Sequence, residues 1–513
     1  MSRLLVGLLV LALVPAWAAS GSSGWAAAAQ PASTTVTAAP SGPVSEGQPL
    51  DPRPNIVLIT TDDQREDDLR HMPFTRSLIG AQGTTFTNAI APFPLCCPAR
   101  ATILTGQHAH NHGVLSNLPS TGGAYHAFRS EQAETLAVWL QRAGYLTTFA
   151  GKYLNGYPSF ATEVPSGWTH WRASVGSVYN YFDQKVSVDG EVVARPGIHQ
   201  STLFQQYVDE AIEEGTRDHR PFFIWQSHLA PHHGCLPSAS GACTSSPPEG
   251  EPQDDDFAVN LPLVSLKSAA FNEWAVADKP GAIQAAPRLG SAQVRGRERL
   301  HQARVRSLKV VDRSVRATVG LLEEKGELDN TLIIFTSDNG FLLGEHRVQG
   351  KVLPYEESLR VPLLMRGPGV PVGAVTDAAV GLADIAPTAL EVSAALPGRT
   401  LDGRSLLPVS QGAPGYEAMP IEAGAVHDAE RGEYLYHGVR TRRWVYVEYP
   451  TRGEEELYDL ALDPDQSDNV AYRPTHRETR AGLRRTLDTL RFCAGEACRT
   501  ASGRAPAPAG PQG

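Results

Sequence analysis

At residues 55–63 the chain reads Asn-Ile-Val-Leu-Ile-Thr-Thr-Asp-Asp, an apolar and β-branched run that ends in two adjacent carboxylates. A short run of this kind is typical of a strand buried on both faces of a parallel sheet. Similar runs recur at residues 145–149, 221–225, 331–335 and 361–365, and helical patterns lie between them at residues 133–143, 203–214 and 304–325. This alternation predicts an α/β fold with a mostly parallel sheet between layers of helices.

Polar side chains follow several of these runs at the point where each run ends. Asp62 and Asp63 follow the first run, and Asp338 and Asn339 follow the run at residues 331–335. Ligands of open α/β sheets bind beyond the carboxyl ends of the strands, so we expect one site at this edge. These four side chains offer only oxygen ligands, which suit Ca²⁺ or Mg²⁺. Alternatively, each Asp could simply cap a turn or a helix.

The composition indicates a soluble, exported protein. The 513 residues include 45 Lys and Arg and 55 Asp and Glu, and they contain no long run of one charge. This pattern favours neither nucleic acid nor an anionic membrane as a partner. Residues 1–18 combine an early Arg3, a short apolar stretch and Ala16-Trp17-Ala18, which predicts a secretory signal peptide. An uncleaved membrane anchor, the alternative, would need a longer apolar run, so we expect no stable membrane insertion.

Composition shifts divide the rest of the chain. Residues 19–53 and 500–513 are rich in small residues and Pro and predict a disordered linker and a disordered tail. We expect the main domain to span residues 54–400. The short strands and single helix of residues 401–499 indicate a smaller C-terminal α+β subdomain. Residues 235–256 predict a long surface loop.

Four of the six cysteines form two close pairs, and export makes disulfides plausible. We expect one bridge between Cys235 and Cys243 and another between Cys493 and Cys498. Cys96 and Cys97 remain, and adjacent cysteines bridge only with strain. Pro98 suits a first helical turn, so Cys96 would lie at a helix N-terminus, where backbone N–H groups favour an anion. A buried thiol is the alternative.

The segment from Cys96 to Arg100, Cys-Cys-Pro-Ala-Arg, followed by Ala-Thr-Ile-Leu-Thr-Gly, resembles the signature of the sulfatase family. The resemblance continues over nearly the whole chain after the linker, in PNIVLITTDDQ, GKYLNGY, APHH, TSDNG, LLGEH and KVLPYE. Within the family the chain is most similar to N-acetylglucosamine-6-sulfatases and heparan endosulfatases. The resemblance implies an alkaline-phosphatase-like fold and a sulfated carbohydrate as the substrate.

The resemblance also implies the roles of the site residues. A formylglycine-generating enzyme would oxidise Cys96 to formylglycine, which would be the nucleophile. The metal ligands would be Asp62, Asp63, Asp338, Asn339 and the modified Cys96. Arg100, Lys152 and Lys351 would neutralise the sulfuryl group, and His232 would protonate the leaving oxygen.

The chain departs from the family pattern at Leu154, where many sulfatases carry a histidine that assists the formylglycine hydrate. The candidates to replace it are Asn155, His346 and a histidine of the group His108, His110 and His112. Two other functions remain open. A phosphodiesterase or phosphonate monoester hydrolase would use the same nucleophile position but usually holds its metal with several histidines. A non-catalytic carbohydrate-binding relative would not need the complete set of catalytic side chains.

Overall fold

The computed structural model describes residues 51–503, except residues 122, 177, 238–242, 256, 259 and 425–433. The predicted signal peptide, most of the predicted linker and the end of the predicted tail lie outside the described residues. The described residues extend slightly beyond the predicted domain limits at residues 54 and 499. Arg53 donates to the carbonyl of Ala143 and stacks on Tyr145, and Thr500 ends the last helix.

The described residues contain 20 strands in five sheets and 13 α-helices. The strands are β1 (Asn55–Thr61), β2 (Thr84–Phe86), β3 (Ala89–Ile90), β4 (Leu146–Gly151), β5 (His170–Val175), β6 (Asp183–Val188), β7 (Glu191–Pro196), β8 (Phe222–Ser227), β9 (Gly234–Pro237), β10 (Cys243–Ser246), β11 (Thr331–Ser337), β12 (Leu342–Leu343), β13 (Gln349–Gly350), β14 (Leu363–Arg366), β15 (Ala374–Thr376), β16 (Val380–Gly381), β17 (Ala418–Gly424), β18 (Tyr434–Thr441), β19 (Trp444–Tyr449) and β20 (Glu454–Asp459). The helices are α1 (Pro73–Thr75), α2 (Cys96–Thr105), α3 (Ala109–His112), α4 (Ala124–Phe128), α5 (Leu136–Arg142), α6 (Gln200–Arg217), α7 (Gly281–Gln284), α8 (Ser291–Glu324), α9 (Glu356–Leu359), α10 (Ile385–Ser393), α11 (Leu406–Ser410), α12 (Arg477–Leu490) and α13 (Glu496–Thr500). None of these helices has the length and apolar character needed to cross a bilayer.

The main sheet has ten strands in the order β15-β2-β14-β11-β1-β8-β4-β5-β6-β7. Its centre is parallel, because β1 pairs in parallel with β11 and β8, and β4 pairs in parallel with β8 and β5. Antiparallel strands lie toward the edges, at β14, β6 and β7. The predicted mostly parallel sheet is therefore confirmed.

Helices cover both faces of this sheet, which explains why its central strands are apolar throughout. On one face, side chains of α2, α5 and α10 pack with Leu58 and Trp225. On the other face, side chains of α6 and α8 pack with Val57 and Ile224. Alternate residues of one strand thus enter two separate cores, as the period of a strand requires.

The C-terminal part forms an antiparallel sheet of four strands in the order β17-β18-β19-β20. Its buried residues Val439 and Tyr446 pack against Leu483 and Leu487 of α12. The predicted bridge between Cys493 and Cys498 is present. Cys235 is also disulfide-bonded, but the side chain of its predicted partner, Cys243, lies outside the described residues.

Two local predictions need correction. The long helix α8 begins at Ser291 rather than at residue 304, because its first turns are polar and largely exposed and so lack an apolar period. Gln293 stabilises this start by accepting a hydrogen bond from the Gly290 N–H group at 2.7 Å. The predicted loop at residues 235–256 contains the hairpin of β9 and β10.

Candidate active site

The site lies where the central parallel strands end. Asp62 and Asp63 follow β1, Asp338 and Asn339 follow β11, Lys152 follows β4, and His232 lies five residues after β8. Because these four strands are neighbours in the order β11-β1-β8-β4, their carboxyl ends open onto one edge of the sheet. The structure thus brings these residues together at the sheet edge expected from the sequence.

Asp63 adopts a left-handed backbone conformation with φ of +67°, which is uncommon for a residue with a side chain. Arg304 of α8 donates hydrogen bonds to the carbonyl oxygens of Asp63 and Pro231. It also pairs with the buried Asp68 at 3.3 Å. Arg304 therefore joins the end of β1 to the segment before His232. The sequence gives no signal for this role, because α8 lies far away in the chain.

The second pair of predicted ligands is in direct contact with the first. The Asn339 Nδ2 group donates to the Asp63 carboxylate at 2.7 Å, and the backbone N–H of Asp63 donates to Asp338 at 3.2 Å. The Asn339 Oδ1 atom is buried and has no hydrogen-bond partner among the described residues. An unsatisfied buried oxygen is costly unless something binds it. The arrangement leaves this oxygen free to bind a cation.

Cys96 is the first residue of α2, as predicted. Gly106 ends this helix with φ of +66°, and its N–H group donates to the backbone carbonyl oxygen of Thr102. The Cys96 thiol lies 2.8 Å from the Lys351 Nζ atom, 3.8 Å from Lys152 Nζ and 3.5 Å from the Asp62 carboxylate. The side chain of residue 96 therefore points toward the ends of the strands.

Cys97 points the opposite way, into the hydrophobic core. Its thiol accepts a hydrogen bond from the Asn155 N–H group at 3.0 Å, and burial raises its pKa. Its own N–H group donates to the Asn117 side chain at 2.9 Å. The side-chain oxygen of Asn117 thus accepts a hydrogen bond from one of the free N–H groups at the start of α2. No local sequence motif predicts this contact.

Three cations surround the carboxylates. Lys152 pairs with Asp62, and Lys351 pairs with Asp63. Arg100 is buried and pairs with Asp338 at 2.9 Å and with Asp62 at 3.3 Å. The structure brings together all three residues that were predicted to bind an anionic sulfuryl group.

Burial shapes the titration of this cluster. It raises the pKa of the Cys96 thiol to about 11, and the negative charge of Asp62 adds to the effect. An unmodified Cys96 is therefore a protonated thiol at neutral pH and a weak nucleophile. Burial and the charge of Asp62 also raise the pKa of Asp338 to about 6. Burial is the larger cause, and the repulsion between the closely packed carboxylates adds to it.

His232 lies at the edge of the carboxylate cluster, with its Nε2 atom 3.8 Å from Asp63. Its Nδ1 atom is 2.9 Å from the carbonyl oxygen of His233, so Nε2 is the nitrogen that faces the site. Tyr179 stacks on the His232 ring at 5.0 Å and lies under the Lys152 ammonium group at 5.0 Å. Tyr179 was not predicted, because it belongs to an irregular segment between β5 and β6 that carries no motif.

The three candidates for the missing histidine have different positions. Asn155 lies beside the site, and its Nδ2 group donates to the Tyr179 hydroxyl at 3.1 Å. The other candidates, His346 and the histidines of the group His108, His110 and His112, make their contacts away from this site. His346 is held by Glu273 at 2.8 Å and stacks on Tyr355.

Both ring nitrogens of His112 make hydrogen-bond contacts behind α2. Its Nε2 atom lies 3.1 Å from the Thr102 hydroxyl, and its Nδ1 atom accepts the N–H group of Val114 at 3.1 Å. Its neighbour His110 pairs with Glu422 of the C-terminal sheet. The sequence could not show this, because histidines of one short segment can point in different directions.

Among the described residues, Asp62, Asp63, Cys96 and His232 also form a group whose ligand atoms all lie within 4.8 Å of one another. His232 was not predicted as a metal ligand. Its position close to both aspartates suits either a metal ligand or a proton donor. The site thus combines a set of buried oxygen ligands, a side chain at a helix N-terminus and three positive groups. Such a combination can bind a tetrahedral anion and stabilise charge that develops on it.

Comparisons with known proteins agree with this geometry. The family model Sulfatase matches residues 54–394, and a second model, described as N-sulphoglucosamine sulphohydrolase, C-terminal, matches residues 344–492. The chain is 32% identical to an extracellular sulfatase Sulf-1 homolog of Caenorhabditis elegans over 70% of its own length and 49% of that relative. It therefore spans about half the length of that relative.

The chain is also 29% identical to N-acetylglucosamine-6-sulfatase of Homo sapiens, over 87% of this chain and 86% of that protein. The phosphonate monoester hydrolase of Agrobacterium radiobacter has the same fold, with a TM-score of 0.62 and 24% identity over 86% of this chain and 95% of that one. Sulfatase structures share it too, which confirms the alkaline-phosphatase-like fold. On the match over residues 54–394, the chain belongs to the sulfatase family.

Proposed function

We propose that this protein is a secreted sulfatase that hydrolyses sulfate esters of a sulfated sugar resembling N-acetylglucosamine 6-sulfate. The observation that carries the proposal is the position of residue 96. It lies at a helix N-terminus, within 3.8 Å of two lysine ammonium groups and 3.5 Å from Asp62. Oxidation of Cys96 to formylglycine by a formylglycine-generating enzyme would place an oxygen nucleophile at this point.

We propose that Asp62, Asp63, Asp338 and Asn339 hold a Ca²⁺ or Mg²⁺ ion together with residue 96. The free Oδ1 atom of Asn339 and the crowding of three carboxylates support this assignment. When present, the cation supplies Lewis acidity, and the hydrated formylglycine supplies the attacking oxygen.

The remaining residues act on the charges of the substrate. Arg100, Lys152 and Lys351 neutralise the sulfuryl oxygens, and their fixed positions make this stabilisation effective inside a buried site. His232 donates a proton from Nε2 to the oxygen that leaves with the sugar. Asn155 donates a hydrogen bond to the hydroxyl of Tyr179, and the Tyr179 ring packs against His232 and Lys152. Asn155 and Tyr179 are therefore the best candidates to compensate for Leu154.

The second candidate function is a phosphodiesterase or phosphonate monoester hydrolase, which the shared fold of the hydrolase from Agrobacterium radiobacter keeps open. The family match and the single histidine of the cation-binding group favour sulfate. We expect nitrophenyl sulfate to be hydrolysed with a higher kcat/KM than nitrophenyl phosphate, and sulfated monosaccharides and heparan fragments to identify the sugar. A preference for the phosphate ester would overturn the assignment. Binding of these sugars without any turnover would instead indicate a non-catalytic carbohydrate-binding relative.

Removal of the cation is expected to lower both the rate and the stability. A ligand that binds only the folded state stabilises it by about 2.7 kcal/mol at a concentration 100 times its Kd, and its loss also leaves the carboxylates to repel one another. The measurements are turnover of nitrophenyl sulfate and Tm before and after chelation. Adding Ca²⁺ or Mg²⁺ back separately would identify the ion. An unchanged rate after exhaustive chelation would contradict the proposed metal site.

A further inference from the structure

Arg297 differs from the other arginines around the site, because no carboxylate lies within ion-pair distance of it among the described residues. Arg65, Arg100 and Arg304 pair with Glu345, Asp338 and Asp68, respectively. The guanidinium of Arg297 instead donates to the neutral side chain of Gln349. Its Nε atom is buried and has no hydrogen-bond partner among the described residues.

Partial burial makes this isolation costly. Burial lowers the pKa of Arg297, and nearby Glu345 only partly offsets the effect. Glu345 itself is already paired with Arg65 at 2.8 Å. The guanidinium nevertheless keeps its charge, because the pKa of arginine lies far above neutral pH. Arg297 therefore carries a positive charge that no described carboxylate neutralises, on a partly exposed guanidinium that an anion can approach.

The position of Arg297 links it to the active site in two ways. Gln349 is exposed and lies two residues before Lys351, so their Cα atoms are at most about 7 Å apart. Arg297 also lies seven residues before Arg304 on α8, nearly two full turns, which puts both on one face of the helix about 10.5 Å apart. Because Arg304 holds Asp63, this face of α8 leads directly to the metal-ligand cluster.

Arg297 is not among the described residues that contact the Cys96 thiol, which are Lys351, Lys152 and Asp62. It is instead suited to another part of the same substrate, on the surface next to the segment that carries Lys351. An arginine can bind sulfate or carboxylate through two parallel hydrogen bonds, which adds orientation to charge. The proposed substrate class, a sulfated glycan, offers such groups on the same or an adjacent sugar.

We propose that Arg297 forms a subsite for a second anionic group, a sulfate or a carboxylate, of a glycan whose first sulfate lies at residue 96. The inference rests on the proposed function, since it takes the substrate class from it. With this subsite, the exposed surface between α8 and β13 would make the protein bind polyanionic sugars more tightly than monoanionic ones.

The test measures binding of two probes to full-length Cys96→Ala protein: a heparin-derived tetrasaccharide and N-acetylglucosamine 6-sulfate. The quantity of interest is the ratio of the two Kd values. We expect Arg297→Gln to weaken tetrasaccharide binding relative to the monosulfate by about 10-fold, the effect of one charge-assisted contact. The matched control is Arg299→Gln, an exposed arginine on the opposite face of α8. It should leave the ratio unchanged.

Gln349→Glu provides a second variant that keeps Arg297. It places a carboxylate against the guanidinium, so it should lower the preference for the tetrasaccharide to a similar extent while Tm stays the same or rises. A purely structural Arg297 would give a higher Tm for Gln349→Glu with an unchanged Kd ratio, and this result would overturn the subsite. Equal losses in Arg297→Gln and Arg299→Gln would also overturn it, because they would indicate diffuse attraction.

The two proposals fail in different ways. Absence of turnover in the wild type, with the Arg297-dependent ratio retained, would refute the proposed function and leave the binding subsite intact. Turnover of sulfated sugars with a ratio insensitive to both variants would refute only the subsite.

Discussion

Replacing Cys96 with alanine is expected to lower kcat/KM for sulfate esters by at least about 10³-fold, since removal of a covalent nucleophile leaves only binding and electrostatic effects. The cations and carboxylates around residue 96 would remain, so the variant should still fold and bind substrate. Tryptic mass spectrometry of the wild type should find formylglycine in the peptide that contains residue 96. Its absence from an active preparation would contradict the proposed modification.

Cys97→Ala is the matched control for this result. The Cys97 thiol points into the core and contacts the Asn155 N–H group rather than the strand ends. Truncation should therefore cost some stability but keep activity within about 10-fold of the wild type. Cys96→Ser should be nearly as inactive as Cys96→Ala, because an enzyme that oxidises cysteine is not expected to oxidise serine. Equal loss of activity in Cys96→Ala and Cys97→Ala would refute the assignment of Cys96 as the precursor of the nucleophile.

His232→Ala is expected to separate two kinds of substrate. A sugar alkoxide needs a proton in the transition state, whereas an aryl oxygen of low pKa leaves as an anion without help. We therefore expect a loss of about 10²-fold to 10⁴-fold on a sulfated sugar, the usual range for general acid catalysis, and a much smaller loss on nitrophenyl sulfate. The measurement is kcat/KM of the variant on both substrates.

Lys152→Ala and Lys351→Ala are the controls for leaving-group dependence. Both lysines lie within 3.8 Å of the Cys96 thiol and pair with carboxylates of the cluster, so their loss should affect both substrates alike. His233→Ala tests the nearest substitute, whose ring stacks on that of His232 at 4.0 Å. Equal penalties of His232→Ala on the two substrates would remove it from the role of acid. A selective loss in His233→Ala would transfer the role to that residue.

The sequence predicted the fold and the position of the site because both depend on local patterns. The apolar runs and the polar residues that end them sufficed to place Asp62 and Asp338 at one edge of a parallel sheet, and this edge is correct. Contacts between distant segments could not be predicted. Arg304 and Tyr179 reach the site from a helix and an irregular segment that carry no motif.

The histidines also show that contacts between distant segments cannot be predicted from the sequence. His346 is the last residue of the family-like segment LLGEH, yet it is held by Glu273, more than 70 residues earlier. A histidine near a motif can satisfy its ring nitrogens locally or across the fold, and only the side-chain direction decides between these outcomes. The position of Asn155 was easier to predict than those of the histidines. It lies only three residues beyond Lys152, and Lys152 comes directly after the end of β4.

The helix α8 spans 34 residues, about 51 Å, and its two halves have different surroundings. Its C-terminal half is clamped in the core, where Val311 and Val315 are fully buried, whereas its first turns are exposed and reach the surface beside β13. Mutations in those first turns can therefore change charge without disturbing the sheet or the carboxylates. For directed evolution, this region is a tolerant place to diversify residues when a different glycan is the target.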